Sequence, residues 1–274
     1  MQIRINERIQ HVPDETTLLG LRESYKPDAD VLIVNGSPVT ADRRLSDGDR
    51  VVLITRGEVP TSTELEGLMV ARHTPGVHEK VKSAVVGVAG LGGLGSTVAA
   101  ALARVGVGTL ELADFDVVEP SNLNRQNYFV EHIGMRKTAA TAETLRRINP
   151  YLTVHTHDVL LDNANVPVVF GGVDVLVEAV DSAATKAMIA ESFHSAYPDI
   201  PLVMASGMAG HASANTIRTR RLGRNTFVAG DLTHEAREGQ GLMSPRVTVT
   251  AAHQANAVLQ LLLGEAPGED ASAG

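Results

Sequence analysis

The chain has 274 residues, 43% of them hydrophobic, a formal net charge of −8 and no cysteine. That length and apolar content suit one large and one small buried core, and the acidic balance counts against bulk binding of nucleic acid or of an anionic membrane. The missing thiols exclude disulfides, thiolate zinc sites and any thioester or persulfide carried on this polypeptide, while the lack of an ~18-residue apolar run or of a charged and apolar leader leads us to expect a cytoplasmic location.

Residues 1–57 form a self-contained pattern. Residues 2–4 and 9–12 read as paired strands around an Asn6-Glu7 turn, followed by a helix led by Thr16-Thr17 and carrying Leu18, Leu19 and Leu21. Strands return at 31–35, before Gly36, and at 50–55, after the Asp47-Gly48-Asp49 turn. The order ββαββ predicts a small β-grasp domain. Residues 58–78 read as linker and arm, opening on a polar stretch with Pro60. From 79 to 264 strands alternate with helices, with strands expected at 84–89, 109–113, 153–157, 174–179, 202–205 and 214–220, and a closing helix from Ser244 or Arg246 to Leu263. This alternation predicts an α/β domain with a Rossmann-like, doubly wound, mostly parallel sheet. The tail 265–274 mixes Glu, Asp, Pro, Gly, Ser and Ala and reads as disordered.

An apolar run over 85–89 opens into Gly90-Leu91-Gly92-Gly93-Leu94-Gly95-Ser96, continues as an Ala-rich helix, and closes on Asp114-Phe115-Asp116. Strand, glycine turn, helix, strand and acid in this order suit a nucleotide. Gly90, Gly92, Gly93 and Gly95 let the backbone approach a phosphate, the helix offers free N–H groups and its positive dipole end, and an acid about 20 residues on suits ribose hydroxyls. By itself this fingerprint favours a nicotinamide or flavin. The phrases Asn122-Leu123-Asn124-Arg125-Gln126 and Gly134-Met135-Arg136-Lys137 point elsewhere. Hydride transfer has no use for an arginine and a lysine so close to the nucleotide. Attack of a carboxylate on an α-phosphate does, because charge builds on the phosphoryl oxygens and on the pyrophosphate leaving group. Arg125 and Lys137 are the natural candidates.

These phrases, with Asp114 to Val118, Arg147-Ile148-Asn149-Pro150 and Val180-Asp181, resemble the ThiF/MoeB-type adenylyltransferases, relatives of the ubiquitin-activating enzymes. The first domain resembles ThiS-type sulfur carriers in Val34-Asn35-Gly36 and in Leu45-Ser46-Asp47-Gly48-Asp49-Arg50-Val51. The resemblance implies ATP and Mg2+ as cofactors. It places Asp114 on the ribose, Asn122, Arg125 and Lys137 on the phosphates, Gln126 in support and Asp116 within the nucleotide-binding set. Asp181, at the carboxyl edge of the sheet, matches the family's magnesium-associated acid, and Arg72 occupies the region of an arginine that reaches across a homodimer. Arg125, Lys137, Asp181 and Arg72 would form the catalytic set. The implied substrate is the C-terminal glycine of a separate ThiS-like carrier, with sulfur brought by a separate donor. Many family members carry two Cys-x-x-Cys pairs for zinc and a cysteine on the crossover segment. This chain has neither, so no zinc is expected, and it resembles the shorter zinc-free ThiF type, which implies thiamine thiazole biosynthesis.

Several readings stay open on sequence alone. The first domain runs on into Arg56-Gly57-Glu58-Val59-Pro60. Without a free Gly-Gly carboxylate it cannot act as an uncut carrier, and it docks, recognises, stabilises or autoinhibits instead. Asp181 taken alone is as good a helix N-cap as a metal ligand, and Arg72 taken alone is a surface arginine. The Gly-rich stretch 230–241, with His234, Glu235 and Arg237, either closes over a carrier's tail or is a flexible surface loop. His155 and His157 share one strand face, which favours a solvated surface over a metal site. Arg218, Arg220, Arg221 and Arg224 read as a solvated strand and turn, with anion or partner binding as the lesser alternative. The rival functions are an NAD-dependent oxidoreductase, a non-catalytic scaffold, and adenylation of another carrier, a small carboxylate or a tRNA-linked amino acid.

Overall fold

The computed structural model describes residues 1–70, 73–74 and 76–268, in two compact units, Met1–Pro75 and Gly76–Gly274. In the first unit β1 (Gln2–Ile5) and β2 (Arg8–His11) pair antiparallel, with Arg4 opposite Ile9. Asn6 and Glu7 both take left-handed backbone angles, φ 43° and 65°, which match the twist of a tight hairpin. Helix α1 (Leu18–Tyr25) is capped by Thr17, whose hydroxyl accepts the N–H of Gly20 at 3.2 Å. Strands β3 (Val31–Val34), β4 (Ser37–Pro38) and β5 (Arg50–Ile54) complete a sheet of order β2-β1-β5-β3-β4. Alternate strand residues Ile3, Ile5, Leu32, Val34, Val51 and Leu53 point to one side and close the core with Leu18 and Leu21. The β-grasp expectation holds with one addition: β4 is only two residues long and leaves no period to read.

Within the segment 58–78, residues Ser62–Val70 form a helix, α2. Its start is a capping box. The Thr61 N–H donates to the Glu64 carboxylate at 2.9 Å, and the Thr61 hydroxyl accepts the Glu64 N–H at 3.3 Å.

The second unit opens with α3 (Val77–Ser83), β6 (Val85–Ala89), α4 (Gly93–Val105), β7 (Thr109–Asp114), α5 (Lys137–Ile148) and β8 (Thr153–Asp158). It continues with α6 (Val166–Val169), β9 (Val175–Glu178), α7 (Ala183–Ala196), β10 (Leu202–Ala205), β11 (Arg218–Arg221), β12 (Thr226–Gly230) and α8 (Ser244–Leu263). The seven strands lie in the order β11-β12-β10-β9-β6-β7-β8. Every neighbouring pair is parallel except β11 with β12. Val86, Val88, Leu110 and Leu112 pack on one face beneath Val98 and Leu102 of α4 and Val247, Ala251 and Val258 of α8. On the other face Leu176 and Leu202 meet Phe170, Ile189 and Phe193. The doubly wound sheet is therefore as expected, with two changes at its edge. Residues Ala214–Thr216 form a 3₁₀ turn before β11, and β12 is an added strand whose short apolar run shows no alternation. The chain leaves β6 toward β7 on one side and returns to β9 on the other. That crevice at the carboxyl ends is where ligands of such sheets bind. Among the described residues, no helix is long and apolar enough to cross a membrane.

Candidate active site

The glycine turn leaves β6 at its carboxyl end. The Gly90 N–H donates to the Ala113 carbonyl at 2.8 Å, and α4 starts at Gly93 behind Gly92, which offers no side-chain cap. The first N–H groups of α4 therefore remain available to an anion. Two of the glycines differ in what they do. A Cβ on Gly95 would sit 1.8 Å from the Gly90 carbonyl oxygen, so Gly95 is needed to close the turn. A Cβ on Gly92 would meet nothing nearer than Gln126 Nε2 at 3.9 Å, so its space is open toward a ligand.

Asp114 ends β7 and is buried, with both carboxylate oxygens on backbone. Oδ2 accepts the Leu91 N–H at 2.7 Å, and Oδ1 accepts the Asp116 N–H at 2.8 Å. On the far side of the same residue, the Tyr128 hydroxyl donates to the Leu91 carbonyl at 2.7 Å and lies 3.2 Å from Thr141 Oγ1. Burial pushes the Tyr128 phenol well above its usual range. Asp114 thus holds the turn itself, a task the ribose role did not anticipate. Tyr128 and Thr141 were not anticipated at all, since nothing local in the sequence ties them to Leu91.

The turn from Pro120 to Asn124 presents the next group. Buried Asn122 accepts the Glu119 N–H on its side chain at 3.0 Å, and its carbonyl takes the N–H groups of Arg125 and Gln126. Arg125 is half-buried and donates to Asn124 Oδ1 at 2.8 Å and to the Ser121 carbonyl at 3.3 Å. It lines a cavity of about 380 Å³ with Gln126, Thr97, Arg104 and Thr248. Gln126 Oε1 is buried without a hydrogen-bond partner among the described residues. Lys137, the first residue of α5, is buried and places Nζ 2.8 Å from Asp116 Oδ2.

Asp181 lies exposed on the turn between β9 and α7. It is not the helix cap. Ser182 is, its hydroxyl accepting the Thr185 N–H at 3.4 Å. Among the described residues the Asp181 carboxylate makes no hydrogen bond or ion pair, and such an oxygen donor fits Mg2+, which takes one or two carboxylates together with substrate phosphates. The turn is anchored by Glu178, fully buried, whose carboxylate accepts the Val180 N–H at 2.7 Å and both bonds from Lys186 Nζ at 2.8 and 2.9 Å. Burial pushes the Glu178 carboxyl up, against the opposing pull of Lys186. Neither residue stands out in the sequence. Arg72 lies outside the described residues.

The remaining candidates are engaged elsewhere. His155 and His157 both contact the carboxylate of Glu111, at 2.6 and 2.9 Å. Burial raises the Glu111 pKa, but the two imidazoles outweigh it and hold the carboxyl below its usual range. The register of β7 with β8 sets Glu111 opposite His155, a juxtaposition across 44 residues. Among the described residues, no group of three or more His, Asp or Glu could hold a metal ion. Arg220 bonds the Gly230 carbonyl, Arg221 bonds the carbonyls of Gly223 and Arg224, and Arg224 pairs with Asp199 at 3.3 Å, so this basic cluster braces its own edge. The stretch 230–241 is tied down: Arg237 and Gln240 exchange backbone hydrogen bonds, and the His234 carbonyl accepts the Ala209 N–H.

The uncapped N–H groups of α4, the side chains of Arg125 and Lys137 and the carboxylate of Asp181 thus all follow the carboxyl ends of β6, β7 and β9, neighbours in the sheet. A ThiF family model matches residues 66–274, and a ThiS-like ubiquitin model matches residues 1–57. The molybdopterin-synthase adenylyltransferase of Escherichia coli K12 is 29% identical over 198 residues, 68% of this chain and 76% of that protein. The adenylyltransferase and sulfurtransferase UBA4 of Eremothecium gossypii is 36% identical over 142 residues, 49% of this chain, which spans only 32% of that relative's length. Among solved structures, E. coli tRNA N6-threonylcarbamoyladenosine dehydratase, TcdA, in complex with ATP has the same fold. Its TM-score is 0.66 over 76% of this chain and 98% of that one, at 23% identity.

Proposed function

This chain belongs to the ThiF family, and from that premise we propose that it adenylates the C-terminal glycine of a separate ThiS-like sulfur carrier at the expense of ATP. The observation that carries the reading is the uncapped start of α4 at Gly92 and Gly93, with Gln126 and Arg125 beside it and the Lys137–Asp116 pair just beyond the end of the neighbouring strand β7. The named adenylyltransferases among its relatives support it, and so does a structural neighbour that binds ATP.

In this reading the ribose lies at Asp114 and Asp116, and the phosphates lie along Gly92 and the first turn of α4, with Asn122 and Gln126 at the rim. A carrier carboxylate oxygen attacks the α-phosphorus, the bond to the bridging oxygen of pyrophosphate breaks, and the acyl-adenylate and pyrophosphate result. The carboxylate is already anionic, so no protein nucleophile or base is needed. The protein positions the reactants, and Arg125 and Lys137 stabilise the charge that develops. Asp181 would hold Mg2+, which shields the phosphate oxygens when bound. Arg72 would join from a second copy in a homodimer. Sulfur would come from a separate donor, because the chain has no cysteine. The fused ThiS-like domain and the lack of cysteine favour the thiamine thiazole pathway as the finer assignment.

Mass spectrometry of a ThiS-like carrier incubated with the protein, ATP and Mg2+ tests the reading. A carrier adenylate that forms only when the terminal Gly-Gly is present supports it. No adenylate from an intact carrier, with ATP demonstrably bound, counts against it.

A further inference from the structure

Asp231 follows β12 directly and is 5% exposed at its side chain. Its Oδ1 accepts the N–H groups of Thr233 and His234, both at 2.9 Å, and its Oδ2 takes His234 Nδ1 and Arg246 Nη2, both at 2.6 Å. Arg246, equally buried, spends Nη1 on the carbonyls of Ala212 and Ser213 at 2.8 and 2.7 Å. A buried arginine fixed in this way keeps Asp231 ionised. An ionised carboxylate only accepts, so Nδ1 of His234 donates to it, and Nε2 is the ring nitrogen left for another partner. The ring is 35% exposed, and Nε2 has no partner among the described residues.

The platform under this imidazole is continuous with the active-site edge. β10 lies between β9 and β12. Leaving β10 and β12, the chain is stitched by Ser206 N–H to the Ala229 carbonyl, Asp231 N–H to the Gly207 carbonyl and Ala209 N–H to the His234 carbonyl, all at 2.9 to 3.0 Å. His234 therefore stands at the same carboxyl edge as Asp181, two strands along, on a segment that also exposes the apolar side chains of Leu232 and Met243.

We infer that His234 is a binding residue for the main chain of the segment bearing the carboxylate to be activated, with Asp231 and Arg246 as its positioning residues. This deepens the adenylation reading and rests on it. A tail ending in Gly-Gly has no side chain to recognise near its end, so selectivity must come from its peptide N–H and C=O groups. A polar ring nitrogen held in one orientation by Asp231 suits that task, because little freedom is lost on binding. β12 lies three strands from β6, roughly 14 Å at about 4.8 Å per strand, a span that about four extended residues cover and a free small carboxylate does not.

His234→Asn separates the two ring nitrogens. Its amide nitrogen replaces Nδ1 against Asp231, and nothing replaces Nε2. Binding of a ThiS-like carrier ending in Gly-Gly is measured without ATP, alongside exchange kinetics and thermal stability. The expected result is about a tenfold rise in carrier Kd and KM, the size of one hydrogen bond, with the KM for ATP, kcat at saturating carrier and Tm unchanged. His234→Gln, which places an amide near the Nε2 position, recovers part of the loss. An unchanged carrier Kd in His234→Asn, or a carrier that does not bind the wild-type protein, overturns the inference. His234-dependent carrier binding without any exchange would sink the adenylation reading and, with it, the assignment of the bound segment as the one to be activated, whereas exchange with an unchanged carrier Kd in His234→Asn would sink the inference alone.

Discussion

Lys137 and Asp116 form an ion pair at 2.8 Å in which the lysine side chain is 8% exposed and the acid 46%. Asp116 in turn bonds Asp114, which holds Leu91 of the glycine turn, and under the proposed function ATP phosphates would compete with Asp116 for this cation. Lys137→Ala and Arg125→Ala should each lower ATP–pyrophosphate exchange by roughly 10²–10³, the effect of losing one preorganised charge-stabilising group. Stability should move by only ~0–1 kcal/mol, since the acid left behind in the first variant is half in water. Exchange at the wild-type rate in either variant would remove that side chain from the mechanism.

The glycines of the turn should separate under substitution. Gly95→Ala forces a carbon into the Gly90 carbonyl at 1.8 Å and should cost several kcal/mol or prevent folding, read by urea unfolding. Gly92→Ala meets nothing within 3.9 Å. It should fold with Tm within a few degrees of wild type and bind ATP at least about tenfold more weakly, because the added methyl occupies the phosphate approach. Normal ATP affinity in Gly92→Ala would place the phosphates elsewhere.

Much of this arrangement was legible because its signals are local. The apolar run of β6, the glycines and the acid at Asp114 sit within one strand–turn–helix–strand unit, and Thr17, the Asn6-Glu7 turn and the closing helix α8 likewise declare themselves over a few residues. What stayed hidden depends on partners far apart in the chain. Glu111 meets His155 through strand register, Tyr128 reaches back to Leu91, and Arg246 reaches Asp231 from the next helix. The start of α2 was a different kind of miss. The Thr61-Ser62-Thr63-Glu64 box is present in the sequence, but its polar residues next to Pro60 are equally the composition of a linker. For Asp181, the true cap is its neighbour Ser182, and only the folded backbone at the start of α7 separates the two.

The network around Asp231 should show in acid. Burial alone would raise its pKa, but the N–H groups of His234 and Thr233, the His234 ring and Arg246 outweigh burial and hold the carboxyl well below its usual range. A group depressed in the folded state contributes stability above its unfolded value of ~3.9 and loses it as the pH falls. The gap in urea midpoint between wild type and Asp231→Asn should therefore be constant from pH 5 to 8 by this linkage and narrow below about pH 4. A gap that widened in acid would mean the carboxyl is not held ionised by its neighbours.

ATP–pyrophosphate exchange with purified protein and Mg2+ tests the central claim most directly, run with a ThiS-like carrier ending in Gly-Gly and with the same carrier lacking those residues. The account predicts exchange with the intact tail alone. Exchange independent of the tail, or none while ATP binds, would contradict it.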